Sequence, residues 1–116
     1  MKVVMHGKTI ELRLSAAASK ALDRRNTPLR VEMELLFSCL IRKRVHFSDL
    51  GAQAAIPASE QLFVHFRPVM TQVCSVHGTQ GGAPVKDFPI AKPAPYVPRW
   101  LAIDYRNGRW QGQFGY

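Results

Sequence analysis

The chain has 116 residues, of which 47% are hydrophobic, and it carries a formal net charge of +8. This length and apolar content exclude a disordered chain and predict a single globular domain, residues 1–116, that buries a core of its own. No apolar run approaches the roughly 20 residues of a membrane span, and the first residues are not apolar enough for a secretory signal, so we expect a cytoplasmic protein without a membrane partner.

The first elements along the chain are predicted to form a hairpin. Val3–Met5 is typical of a short strand, and His6-Gly7-Lys8 is a turn signal. Thr9–Leu14 alternates apolar and polar side chains, which is the pattern of a half-buried strand. Its polar face carries Thr9, Glu11 and Arg13.

A helix is predicted next, over about residues 16–25. Ser15 offers a hydroxyl that can cap its first turn, and the following residues are mostly good helix formers. Arg24 and Arg25 are placed in the last turn, where positive charge suits the helix dipole, and Pro28 follows the end.

The longest pattern in the chain is the alternation over 29–47. Odd positions are apolar except for one lysine, which indicates strand structure with one buried face. We expect one long bent strand, or two strands with a kink near Ser38–Arg42. A helix is the alternative, because Met33, Phe37 and Ile41 also have helical spacing. The polar face of the strand pattern carries Arg30, Glu32, Glu34, Ser38, Arg42, Arg44 and His46.

The second half of the chain begins with another strand pattern, over Leu62–Val76. Pro68 cannot donate to a ladder, so it predicts an edge, a bulge or a break. The segment 78–98 is rich in glycine and proline and is predicted to be an irregular loop. A loop of that length in a compact domain is either functional or loosely ordered.

The chain ends in a predicted hairpin around Asn107-Gly108, a strong two-residue turn signal. Pairing outward from that turn places Leu101 opposite Phe114 and Tyr105 opposite Trp110, so that one face is apolar. The other face carries Trp100, Ala102, Asp104, Arg106, Arg109, Gln111 and Gln113.

Together these elements predict an α+β fold. We expect a mainly antiparallel, curved sheet with long central strands, one N-terminal helix and a C-terminal hairpin. A helix of ten residues is only about 15 Å long and cannot cover such a sheet. Either the sheet curls on itself or a second copy of the chain covers it, so a homodimer is a candidate partner.

The residues of metal and redox chemistry are sparse. Cys39 and Cys74 both lie in apolar runs and are predicted to be reduced core thiols. Cys74 and His77 are three residues apart, which in a straight strand places them on opposite faces. Further ligands would have to come from Cys39, His46 or His65, so we expect no metal and no cofactor.

The carboxylates show no catalytic arrangement. Glu32 and Glu34 share one strand face about 7 Å apart, flanked there by Arg30 and Arg42, which indicates surface charge pairing. No nucleophile motif or paired-histidine helix is present, and this argues against an enzyme.

Positive and aromatic side chains instead predict a binding surface. Its candidate residues are Arg42, Arg44, His46, Trp100, Arg106, Arg109 and Gln111. The leading hypothesis is a non-enzymatic binding or interaction module, whose protein partner the sequence does not identify. The alternative is nucleic-acid binding through the basic and aromatic outer face of the sheet. A second alternative is a small enzyme or small-molecule binder with the 78–98 loop as a lid.

Overall fold

The computed structural model describes residues 1–37, 41–71, 85–87 and 94–116. These residues form two mixed sheets and one α-helix. In chain order the elements are β1 (Lys2–Met5), β2 (Lys8–Leu14), α1 (Ala16–Asp23), β3 (Leu29–Phe37), β4 (Arg42–Asp49), β5 (Ile56–Pro57), β6 (Leu62–Thr71), β7 (Val85–Asp87), β8 (Trp100–Arg106) and β9 (Arg109–Gly115), with a short 3₁₀ turn at Ala94–Tyr96. The first sheet has the order β1-β2-β8-β9, and the second has the order β4-β3-β6-β5 with β7 beside β6.

Both predicted hairpins are confirmed. β1 and β2 pair antiparallel around His6 (φ 50°) and Gly7 (φ 77°), and β8 and β9 pair around Asn107 (φ 52°) and Gly108 (φ 74°). Two consecutive residues with positive φ give the tight turn that matches the twist of paired strands. The register of the C-terminal hairpin is the predicted one, with Leu101 opposite Phe114.

The predicted helix is present but ends at Asp23, two residues before the predicted end. Ser15 caps it, because its hydroxyl oxygen accepts a hydrogen bond from the Ala18 N–H at 3.1 Å. The Arg25 N–H donates to the Leu22 carbonyl, which tightens the chain out of the α-helix. The Arg25 guanidinium does not complete a last turn; it pairs with the Asp49 carboxylate.

The alternating run over 29–47 forms two antiparallel strands, β3 and β4. Of the predicted alternatives, the two strands are confirmed, and the single bent strand and the helix are wrong. Met33 lies opposite Val45 and Val31 opposite Phe47, so odd-numbered residues face odd-numbered residues across the pair. The alternation therefore passes through the chain reversal without a change of phase, and the pattern alone does not reveal the reversal. The predicted kink falls at the reversal, although residues 38–40 lie outside the described part.

The strand directions differ from the mainly antiparallel sheet that was predicted. Each sheet has a parallel pair at its centre, β2 with β8 and β3 with β6, flanked by antiparallel neighbours. The parallel partners are far apart in sequence, and hydrophobic periodicity carries no information on which strands become neighbours. The long central strands are confirmed, since β3 has nine residues and β6 has ten.

The inner faces of the two sheets share one apolar core. The first sheet contributes Val3, Met5, Ile10, Leu12, Leu101, Ile103 and Phe114, and the second contributes Leu29, Val31, Met33, Leu35, Leu62, Val64 and Phe66. Ala18 and Leu22 of α1 join this cluster. A second sheet of the same chain thus covers the first, which removes the packing argument for a homodimer. The homodimer itself stays a prediction.

Pro68 lies inside β6, where the outer neighbour of that strand changes. β5 pairs with β6 at Phe63 and Val64, and β7 pairs with it from Val69 onward. Pro68 thus sits between the two short partners, at the kind of interruption that its missing N–H predicts. Within the predicted 78–98 loop, the described residues form β7 and the 3₁₀ turn. The remainder of that loop, Cys39, Cys74 and His77 lie outside the described residues.

No helix in the described ranges is long and apolar enough to cross a membrane.

The edges of the two sheets meet where β4 passes β9 at Gly112. A Cβ built on Gly112 would lie 2.8 Å from Val45 Cγ1 and 2.9 Å from Phe47 Cζ. Beside this contact the Phe47 ring stacks on Trp110 with 5.9 Å between centroids. The absence of a side chain at Gly112 allows the two edges to approach.

Substitution of Gly112 by alanine is therefore expected to destabilise the fold by about 1–3 kcal/mol. The new methyl group would clash with the side chains of Val45 and Phe47, which pack against the core. Urea unfolding measures this change. Gly51→Ala is the matched control, because a Cβ on Gly51 meets nothing within 4 Å. Equal unfolding midpoints for the two variants would show that the crossing does not depend on the glycine.

Candidate functional site

The predicted surface residues fall on two separate faces. Trp100 and Arg106 of β8, and Arg109 and Gln111 of β9, lie on the outer face of the first sheet. Arg42, Arg44 and His46 of β4 lie on the outer face of the second sheet. Because the inner faces of the sheets pack against each other, these two outer faces point away from each other. The first four residues share one face, with Trp100 and Arg106 at opposite ends of β8, and the last three share the other face.

A groove of about 530 Å³ runs along the outer face of the first sheet. Ala102 of β8 lies between Arg13 on β2 and Gln113 on β9 in the sheet register, so a small side chain is flanked by two long ones. The polar side chains along this outer groove are Arg13, Ser15, Asp104, Arg106, Gln111 and Gln113. It presents guanidinium groups and two amides around an apolar floor.

Asp104 is held as an anion at the end of this groove. It accepts hydrogen bonds from the Ser15 hydroxyl at 2.6 Å, the Tyr105 N–H at 2.8 Å and Arg106 Nε at 2.7 Å. The Ser15 hydroxyl, followed by the Tyr105 N–H, lowers the pKa of Asp104 below its ordinary value, and Arg106 acts in the same direction. Ser15 thus links the start of α1 to β8.

The positive groups near the groove differ in how they are partnered. Arg13 pairs with Glu11 at 3.2 Å, and Arg106 pairs with Asp104. Within the described ranges, no hydrogen bond or ion pair is recorded for Arg109, which is exposed. Arg13 and Arg106 remain more than half exposed in spite of their partners. Exposed pairs of this kind are weak and exchange readily for another anion.

Trp100, which the sequence placed on the candidate binding surface, is half-buried and has neighbours from β2 and β9. The guanidinium carbon of Arg13 lies 5.4 Å from its ring centroid, in cation–π geometry. The ring also lies close over Gly115, where a Cβ would be 2.6 Å from its nearest carbon. Trp100 therefore packs against β9 and positions Arg13.

Four polar residues of the groove were absent from the predicted surface: Arg13, Ser15, Asp104 and Gln113. The alternation of β2 had placed Arg13 on a polar face, and Gln113 stood on the polar face of the C-terminal hairpin. The missing information was the parallel pairing of β2 with β8, which places the two faces side by side. Ser15 was recognised only as a helix cap.

The outer face of the second sheet carries alternating charges in cross-strand rows. Glu32 of β3 lies between His46 and His65, and Glu34 lies between Arg44 and Arg67 in the register. His46 Nε2 approaches Glu34 Oε2 to 3.4 Å.

The sequence predicted that Arg30 and Arg42 pair with the glutamates of this face. One of these two arginines forms such a pair. Arg30 Nη2 donates to Glu32 Oε1 at 3.3 Å, as predicted. Arg42 instead lies opposite Leu36, where the described residues provide no carboxylate partner for it.

No protein-family model matches the chain, and comparisons with curated proteins and with solved structures find no match.

Substitution of Ser15 by alanine is expected to raise the pKa of Asp104, because the largest cause of its lowering is lost. The chemical shift of the Asp104 carboxyl carbon, followed against pH, measures this directly. The same variant loses the helix cap, at a cost of about 1 kcal/mol. Ser19→Ala is the control, since Ser19 lies exposed on the same helix. If Asp104 titrates with the same midpoint in both variants, the Ser15 hydroxyl does not lower its pKa.

The sign of the pH effect follows from this lowered pKa. A carboxyl group whose pKa is lower in the folded state stabilises the fold above its unfolded pKa, which is about 3.9 for aspartate. That contribution is lost as the pH falls from about 4 through the folded pKa. The stability difference between the wild type and Ser15→Ala is therefore expected to shrink in acid, as measured by urea unfolding at neutral pH and at the acid end of this window.

Proposed function

We propose that the protein is a non-enzymatic binding module that holds single-stranded nucleic acid in the outer groove of the first sheet. The observation that carries this proposal is the row formed by Arg13, Ala102 and Gln113, with Arg106 and Gln111 farther along the same groove. The groove has a guanidinium group on one side, amides on the other and a small apolar floor between them. This arrangement suits a single nucleic-acid strand whose phosphates and base edges lie on opposite sides.

The charge of the chain supports an anionic ligand. A net charge of +8 on 116 residues attracts polyanions. The exposed Arg109 lies opposite Arg106, which lines the groove, in the register of β8 and β9. Guanidinium groups bind phosphate through paired, charge-assisted hydrogen bonds. The amides of Gln111 and Gln113 carry both donors and acceptors, which match the Watson–Crick edges of unpaired bases.

The shape of the groove supports a single strand over a duplex. Its volume of about 530 Å³ lies within the range of pockets that take small organic groups. In the part of the chain that the structure describes, no helix or ribbon projects from this sheet face to enter a duplex groove. Open sheet faces bind unpaired bases, which lie against the sheet.

The state of Asp104 supports binding without catalysis. A general acid or base at neutral pH needs a pKa near 7. The pKa of Asp104, the carboxylate in this groove, is shifted the other way, below its ordinary value. Its three hydrogen-bond donors make it a fixed anion that orients Arg106 and the start of α1.

The double variant Arg106→Gln, Arg109→Gln is expected to weaken binding of a fluorescently labelled single-stranded oligonucleotide, measured by anisotropy at several salt concentrations. Loss of two phosphate contacts reduces the slope of log K against log salt by about 1.4. Lys20→Gln, Arg24→Gln is the matched control, because it removes the same charge from two exposed positions in α1 and at its C-cap. Equal weakening by both double variants would mean that only net charge matters, and the groove would not be the site.

A third double variant, Arg42→Gln, Arg44→Gln, separates the two outer faces. The proposal predicts that it behaves like the α1 control. If it weakens binding while the groove variant does not, the nucleic-acid surface is on the second sheet and the proposal is wrong.

A further inference from the structure

Three potential metal ligands converge on the outer face of the second sheet, away from the groove. Glu32 and Glu34 lie two residues apart on β3, and His46 lies beside them on β4. One donor atom from each residue lies within 4.8 Å of the others. Side chains two apart on one strand point to the same face, so the backbone itself holds the two carboxylates together.

The distances are close to those of a coordination shell. His46 Nε2 and Glu34 Oε2 are 3.4 Å apart. Zinc bonds of about 2.0–2.2 Å in a tetrahedron place neighbouring ligand atoms about 3.3–3.6 Å apart. One edge of such a tetrahedron is therefore present, and a donor atom of Glu32 lies within 4.8 Å of both other donors.

Glu34 provides a second, independent observation. It is only 6% exposed, and it accepts no hydrogen bond from the described residues. The contact recorded for its carboxylate is with His46, a member of the same cluster, at a length beyond a good hydrogen bond. A buried carboxylate needs a positive or donating partner. His46 is that partner in this structure, and a cation bound between Glu34 and His46 would place a full positive charge beside the buried carboxylate.

Glu32 is oriented from outside the cluster. Arg30, itself 7% exposed, donates to Glu32 Oε1, and its Nη2 and Nε also donate to the Ala54 carbonyl at 3.2 and 3.3 Å. This guanidinium holds the Glu32 carboxylate through Oε1. Hydrogen bonds of this kind hold the ligating groups of metal sites in place.

We propose that Glu32, Glu34 and His46 bind a divalent transition-metal ion of the zinc type. Two carboxylates and one imidazole neutralise the ion and suit its preference for nitrogen and oxygen ligands. His46 is half exposed, so a fourth position faces solvent. The sequence pattern of these residues had indicated only surface charge pairing.

The arginines around the cluster provide a distinctive test. Arg44 lies opposite Glu34 on β4 and is exposed, and Arg67 lies opposite it on β6. A positive charge beside the site repels a cation. Arg44→Gln is therefore expected to increase the affinity for the metal several-fold, a result that a purely structural role of the cluster does not produce.

The experiment is a titration of the chelator-treated protein with Co²⁺, followed by visible absorption, and displacement of the cobalt by Zn²⁺. The proposal predicts one ion per chain and a spectrum without the thiolate charge-transfer band of a cysteine site. His46→Gln and Glu34→Gln are expected to weaken binding at least tenfold, since the loss of even a supporting residue costs about 10–100-fold. His6→Asn is the control, because it removes an imidazole from a distant turn and keeps a residue that tolerates positive φ.

Because Glu34 is buried, the exposed His46 variant carries the test if Glu34→Gln fails to fold. Absence of a stoichiometric ion, a thiolate band, or equal affinities in His46→Gln and His6→Asn would each overturn the proposal. Unchanged affinity in Arg44→Gln would contradict the placement of the ion beside Glu34.

Discussion

The parallel pairing of β2 with β8 is the constraint on which the first sheet and its groove depend. It joins the hairpin at the start of the chain to the hairpin at its end, and it sets Arg13 beside Ala102. Directly after β2, the Ser15 N–H donates to the Ile103 carbonyl at 3.0 Å, while the Ser15 hydroxyl donates to Asp104 and accepts from α1. The same few hydrogen bonds therefore start the helix, orient a carboxylate and define one end of the groove.

The two-sheet core explains why the protein has two chemically distinct outer faces. Each sheet directs its apolar side chains inward, and the approach of β4 to β9 at Gly112 brings the sheet edges together on one side. The polar side chains are left on opposite surfaces. The outer face of the first sheet has a groove with guanidinium and amide groups, whereas the central strand of the second sheet carries buried Arg30 and Glu34 in a charged network. Binding on one face does not require the other.

The elements that depend on local chemistry were predictable from the sequence. The Asn107-Gly108 turn fixes its own register, because one pairing alone makes a whole face apolar, and Ser15 identifies the start of α1. The 29–47 run shows the limit of this reasoning. Its alternation keeps the same phase through the reversal between β3 and β4, so the pattern identified strands and a kink but did not decide their number.

The candidate sites were predictable only in part, because each combines strands that are distant in the chain. Residues of the C-terminal hairpin were identified from its polar face, whereas Arg13 joined them only through a parallel pairing that no local pattern encodes. Similarly, the sequence placed Glu32 and Glu34 on one face, but only the register of β4 brings His46 to Glu34. Burial of Glu34, which distinguishes that cluster from an ordinary charged surface, is a property of the assembled sheet.

The most direct test of the central claim, that the outer groove binds single-stranded nucleic acid, is an NMR titration of the isotopically labelled protein with a short single-stranded oligonucleotide. The account predicts chemical-shift changes that concentrate on the Arg13, Ala102 and Gln113 row and extend to Gln111, with the outer face of the second sheet unchanged. Changes confined to β3 and β4, or no changes at a salt concentration of about 0.15 M, would contradict it.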